Sequence, residues 1–138
     1  MQKEQKVRDQ DKPVEKPSPV QELRQRFGQH FVPSVEKLAQ SLGKRGIVVQ
    51  MDASDFLGGG RGILIDVRFE GRALQLEGTV LPDAIAFQET RFENETKSGG
   101  GRISSGPMLR TRSLTAETFV KFLYERVIKL VQEVTRRS

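Results

Sequence analysis

Two periodicities divide this chain. From Val20 onward, Leu23, Phe27, Phe31, Val35, Leu38 and Leu42 recur three or four residues apart, which places them on one face of a helix. Pro33 falls inside that run and lacks a backbone donor, so the pattern predicts a kink, or two short helices meeting near Val32. Gly43 and Gly46, flanking Lys44 and Arg45, supply a stop signal with cations at the negative end of the helix dipole.

The period then changes to two. Ile47, Val49, Met51 and Ala53 alternate with Val48, Gln50 and Asp52, predicting a first strand. Beyond a glycine-rich loop at residues 58–62, Ile63, Ile65, Val67 and Phe69 share one face, and Leu74, Leu76 and Val80 share a face on the partner strand. A two-residue turn at Glu70-Gly71 would set Val67 opposite Leu74 and Ile65 opposite Leu76, with Asp66 against Gln75 and Leu64 against Glu77 behind them. A slip of one residue destroys that match, so the register of this hairpin is predicted along with its existence.

Leu81-Pro82-Asp83 marks the next turn. Residues 84–93 read as a fourth strand with Ile85 and Phe87 inward, residues 94–101 as a flexible loop, and residues 102–112 as a fifth strand. Gly106-Pro107 interrupts that last strand and implies an edge position or a bulge.

A long helix closes the sequence. Thr115 is the expected N-cap, and Leu114 with Phe119 occupy the positions of a hydrophobic staple. Phe119, Val120, Leu123, Tyr124, Val127, Leu130, Val131 and Val134 fall within an arc of roughly 140° at 100° per residue, an apolar stripe suited to lie on a sheet. Glu117, Lys121, Glu125, Lys129, Glu133 and Arg137 form a ladder of alternating sign, read as a self-paired solvated face. Phe122 projects among those charges.

The expected fold class is therefore α+β: an antiparallel sheet of about five strands with a kinked N-terminal helix and a long C-terminal helix packed on one face. It forms a single domain over residues 20–138. Residues 1–19 hold five cations, four acids and three prolines but only three apolar side chains, too few to offset chain entropy, and read as a disordered tail.

Composition narrows the function mainly by exclusion. The chain has 138 residues and no cysteine, so disulfides and thiolate chemistry are ruled out. No apolar run reaches the roughly 20 residues of a membrane helix, and the polar N-terminus is not a secretion signal; a cytoplasmic protein without membrane association is expected. His30 stands alone between Phe27 and Phe31, and Asp52 with Asp55 lack a third ligand, so neither a catalytic nor a metal site is expected and no cofactor is implied. No GK[ST] follows the glycines at 58–62 and the next element is a strand, so they read as a mobile connector and not as a phosphate loop. Asn94-Glu95-Thr96 matches a glycosylation sequon by chance in such a protein.

The net charge of +5 is unevenly placed. Residues 1–19 carry five cations and four acids, residues 20–100 ten and eleven, and residues 101–138 eight and three. Outside the helical ladder that surplus is Arg102, Arg110, Arg112, Arg126 and Arg136. Arg110 and Arg112 fall on one face of the predicted last strand. The first functional reading is a non-catalytic module that binds nucleic acid through Arg102, Arg110, Arg112 and Arg126, since guanidinium groups take phosphate oxygens bidentately. Aromatic stacking contributes little to it, because only Phe92 and Phe56 could face outward. The alternative is a protein-interaction or adaptor module, self-associating as a homo-oligomer, with Phe122 and Ile128 as partner contacts.

Overall fold

A computed structural model describes residues 18–137 of the chain. The predicted tail lies outside these residues, except that Ser18 and Pro19 already belong to the first helix. Ser18 is its N-cap: the Ser18 hydroxyl accepts from the Gln21 amide, the Gln21 side chain accepts from the Ser18 amide, and Pro19 stands in the first turn.

Helix α1 (Pro19–Arg26) runs through a π-helical turn (Phe27–Phe31) directly into α2 (Val32–Gly43). The expected break near Val32 is thus a widened turn. Pro33 has no amide to donate and its ring would crowd the carbonyl four residues back. Widening the turn, with the Val32 amide donating to the Phe27 carbonyl, absorbs the proline without ending the helix. It also sets Phe27 and Phe31 side by side, ring centroids 4.9 Å apart, both in the core.

The sheet is an antiparallel meander in the order β1 (Val48–Asp52), β2 (Gly62–Phe69), β3 (Arg72–Val80), β4 (Ala84–Phe92) and β5 (Arg102–Arg110). The β2–β3 register is the expected one: Val67 opposes Leu74, Ile65 opposes Leu76, Asp66 opposes Gln75 and Leu64 opposes Glu77. Glu70 and Gly71 have φ of 52° and 81°, the two left-handed positions of the tight hairpin turn that matches the twist of the strands. A short helix, α3 (Ser54–Leu57), precedes the glycine-rich loop and was not expected. It delivers Phe56 into the core against Phe27, so Phe56 is not an outward ring.

β5 lies at the sheet edge, as the Gly106-Pro107 break implied, and its pairing with β4 shifts register between Ala86 and Gln88. Gly106 sits at that irregularity, where a Cβ would stand 2.8 Å from the Phe87 carbonyl oxygen. The strand ends at Arg110, two residues earlier than expected, and residues Thr111–Ser113 make a 3₁₀ turn.

Helix α4 (Ala116–Arg137) then crosses the same face as α1 and α2. Thr115 and Thr118 cap it reciprocally through side chain and amide, and Leu114 and Phe119 are both buried behind the cap. Phe119 touches Phe27 and Phe31, each with centroids 5.4 Å away, and completes an aromatic cluster between helices and sheet. The Arg26 guanidinium ties α1 to the entry of α4 by donating to the Leu114 carbonyl at 3.0 Å.

The buried stripe of α4 is rotated from the expected arc. Phe122 is 8% exposed, whereas Tyr124 is 39% exposed. The reason lies on β4, whose inward residues are Ile85, Phe87, Glu89 and Arg91 in sequence. Phe87 takes Phe122 at 5.1 Å between centroids, and the two charges after it draw Arg126 and Glu133 inward. A helix turned to serve that strand buries Phe122 and brings Arg126 and Glu133 to the sheet, at the expense of Tyr124.

Candidate anion-binding cleft

Along β4 the inward face passes from apolar to charged within one strand. Glu89 is 6% exposed, and its carboxylate accepts from Arg126 at 3.2 Å and lies 3.8 Å from Arg91. Arg91 is also ion-paired with Glu133 of α4. Arg126, Glu89, Arg91 and Glu133 thus alternate in sign from helix to strand and back, and the Arg126 guanidinium lies over the Phe122 ring at 5.7 Å. Of the four, only Glu89 is buried, so its carboxylate depends on the two arginines in place of water, while Arg126, Arg91 and Glu133 each keep part of their side chain in solvent. This use of Glu133 departs from the helical ladder expected for it: the carboxylate serves the sheet.

At the open end of the network lies a cleft of about 710 Å³. Its floor is the backbone of three neighbouring strands: the start of β3, the end of β4 and the start of β5. Leu130 and Glu133 of α4 form one wall and residues Gly99, Gly100 and Gly101 the other. Alternation sends the side chains of Arg72, Arg91, Arg102 and Ser104 to the helix side of the sheet.

Arg91 and Arg102 are direct cross-strand partners. Like charges in that position repel, and sheets avoid them where nothing else requires them. Arg91 has Glu89 and Glu133 as counter-ions and Arg72 has Glu93 at 3.1 Å, whereas Arg102 is exposed and forms no ion pair among the described residues. The arrangement can take an anion: Arg72, Arg91 and Arg102 all line the cleft, together with Ser104.

The residues singled out from sequence do not form one patch. Arg102 belongs to the cleft. Arg110 stands at the far end of β5, about 26 Å away along a strand at roughly 3.3 Å per residue, where it faces Asp83 at 3.4 Å. Arg112 is exposed in the 3₁₀ turn, so the expectation that it shares a strand face with Arg110 is corrected: the strand has ended before it. Arg126 lies apart from both ends of β5's outer edge, its guanidinium turned inward to Glu89 at 3.2 Å. Phe122 as a surface contact is overturned by its burial against Phe87. Ile128 is half-buried on α4.

Arg72 and Arg91 escaped sequence reasoning because residues 20–100 carry no net positive charge, and a regional count hides a local cluster. The signal available was the register itself, which brings Arg91 beside Arg102 once the β4–β5 pairing is known.

Two loops expected to be mobile carry side-chain contacts at their ends. The Gly60 carbonyl accepts from Arg24, which also stacks on Phe56 at 5.0 Å, and the Gly62 amide donates to Asp55 at 2.8 Å. In the 94–101 loop the Asn94 carboxamide accepts from the Thr96 amide and hydroxyl. Lys97 reaches across the open sheet face to Asp66 at 3.0 Å and to the Phe92 ring. That anchor fixes the segment leading to the glycine wall of the cleft. Phe92 itself is half-buried beneath Lys97.

Among the described residues no group of three or more His, Asp or Glu side chains is placed to hold a metal ion, and no helix is long and apolar enough to cross a membrane. Hydrogen bonds from the Ser54 hydroxyl and then the Ser54 amide hold the Asp52 carboxyl below the usual carboxylate range. Comparison of the chain with models of protein families, with curated proteins and with solved structures finds no match.

Proposed function

We propose that this protein is a non-catalytic binding module for nucleic acid, and that the cleft bearing Arg72, Arg91 and Arg102 is where phosphate is bound. The observation that supports the reading is the Arg91–Arg102 cross-strand pair, in which Arg102 has no counter-ion among the described residues and opens onto a cleft. A backbone phosphate would give Arg102 an anion and relieve its repulsion from Arg91 across the strands. This moves the reading from the Arg110 end of β5 to the Arg102 end.

The test is fluorescence anisotropy with labelled oligonucleotides at about 50 and 200 mM salt, where phosphate binding weakens steeply as counter-ions compete. Binding that falls with salt and is lost in Arg102→Ala, while Arg110→Ala with Arg112→Ala leaves it intact, supports the proposal. Binding insensitive to salt, or to Arg102→Ala, overturns it.

The second reading, a protein-interaction module, has its own support. Ile103 and Met108 on edge strand β5 are 63% and 54% exposed, and an unpaired edge offers backbone groups to another strand. Sedimentation at high protein concentration tests the self-associating form of this reading; a monomer throughout counts against it.

A further inference from the structure

The cleft is not open to a ligand on equal terms at all of its arginines. Arg102 has no ion-pair partner among the described residues, but Arg91 is already paired with Glu133, so a phosphate reaching the same guanidinium nitrogen competes with that carboxylate. Glu133 is also the more exposed partner of that pair: its side chain is 38% accessible, while Glu89 on the other side of Arg91 is 7% accessible and bonded to Arg126. Of the two carboxylates on Arg91, Glu133 is therefore the one that can swing into solvent. Glu89 stays and keeps Arg91 oriented.

We infer that Glu133 is an internal stand-in for phosphate, and that the cleft takes single-stranded nucleic acid by exchanging Glu133 for a backbone phosphate bridging Arg91 and Arg102. The inference rests on the proposed nucleic-acid reading and adds a strand preference and a residue that governs affinity.

The preference for a single strand follows from recession. The Arg72 and Arg91 side chains are 26% and 30% accessible, set between the α4 wall and the glycine wall. Duplex phosphates stand on a stiff, convex surface and cannot be pushed individually into such a cleft, whereas a flexible strand can turn one phosphate inward. Exchange also carries a charge consequence. While Glu133 is present, the ligand must displace a negative charge before Arg91 contributes, so the glutamate lowers affinity and hides one phosphate contact from the salt dependence.

The experiment is anisotropy titration of the full chain with a labelled single-stranded oligonucleotide and with its duplex, comparing wild type, Glu133→Gln and Glu125→Gln. Glu125→Gln makes the same change in net charge on an exposed position of α4 outside the cleft. The expected result is that Glu133→Gln tightens single-strand binding about three- to fivefold, the scale of a partly exposed ion pair, and Glu125→Gln changes it by less than about twofold. The magnitude of the log–log salt slope should rise by about 0.7 in Glu133→Gln, one further single-strand phosphate contact. The duplex should bind wild type about tenfold more weakly than the single strand.

Equal effects of the two glutamine variants would overturn the exchange, since net charge would then explain the gain. Duplex binding as tight as single-strand binding would overturn the strand preference. Both outcomes are distinct from failure of the underlying reading, which appears as no salt-dependent binding by wild type. Circular dichroism of each variant, expected to match wild type because both substitutions are on exposed or half-exposed side chains, checks that fold is retained.

Discussion

The two ends of the interface between α4 and the sheet are built in opposite ways. At the start of α4, Phe119 and Phe122 meet Phe27, Phe31 and Phe87 with centroids 5.1–5.4 Å apart, and all but Phe122 and Phe87 are at most 1% exposed. About one and three turns beyond Phe122, the same helix face carries Arg126 and Glu133, and the same strand carries Glu89 and Arg91. One end is held by apolar burial, which is non-directional and tolerant of small shifts. The other is held by charges that need one another in defined places. A buried ion network contributes little net stability compared with apolar side chains of similar volume, because desolvation offsets the attraction. The charged end is therefore not accounted for by stability, and the repulsive Arg91–Arg102 pair makes that sharper.

The contrast can be broken at each end. The largest effect is expected at the aromatic end: Phe119→Ala should cost about 3–5 kcal/mol in urea unfolding, since a fully buried ring leaves a cavity that its neighbours only partly fill. At the charged end, Glu89→Leu alone should cost about 2–3 kcal/mol, below the roughly 3–5 of a fully buried pair because Arg126 keeps partial contact with water. Glu89→Leu combined with Arg126→Met should recover most of that loss, and failure to recover it would show that the network stabilises the fold outright. Next, Arg102→Thr should raise stability by about 0.2–1 kcal/mol by removing a like charge opposite Arg91, an effect that high salt should shrink. An Arg102→Thr variant less stable than wild type would remove the argument that this end of the sheet is kept for binding.

The smallest effect lies outside both ends and sets a baseline for titration. Asp52 has a folded-state pKa below its unfolded value, so whatever the Ser54 hydrogen bonds contribute is present above the unfolded pKa and lost as pH falls through the folded one. Ser54→Ala should raise the Asp52 pKa toward the ordinary carboxylate value, read by NMR titration of the side-chain carboxyl, and leave the cleft untouched. A pKa that does not move in Ser54→Ala would remove those hydrogen bonds as its cause.

Local chemistry was enough to determine much of this fold. The period-two runs with Glu70-Gly71 between them made the central hairpin and its register legible, because the two-residue turn sets the pairing and a slip of one residue would set apolar side chains against polar ones. The Thr115 cap, the Leu114–Phe119 staple and the Gly106-Pro107 edge strand were legible for similar reasons: each depends on residues within a few positions of one another. Periodicity failed where a distant strand intervened. The stripe of α4 looked best centred between Leu123 and Tyr124, but hydrophobicity on the helix alone carries no information about Glu89 and Arg91 on β4, which turned Phe122, Arg126 and Glu133 inward instead. The π-helical turn likewise settled a proline that sequence could only mark as a disturbance.

The candidate site shows the same division. Sequence located a surplus of arginine in the last quarter of the chain and included Arg102 in it. It could not separate Arg102 from Arg110, which the length of β5 holds far apart, nor add Arg72 and Arg91, whose charges are balanced in sequence by nearby acids. Adjacent strands brought those three guanidinium groups together, and α4 supplied the carboxylate that occupies one of them. Pairing rules act over a few residues and are written in the chain; the juxtaposition of like charges across strands depends on long-range register and helix rotation, which only the packed structure decides.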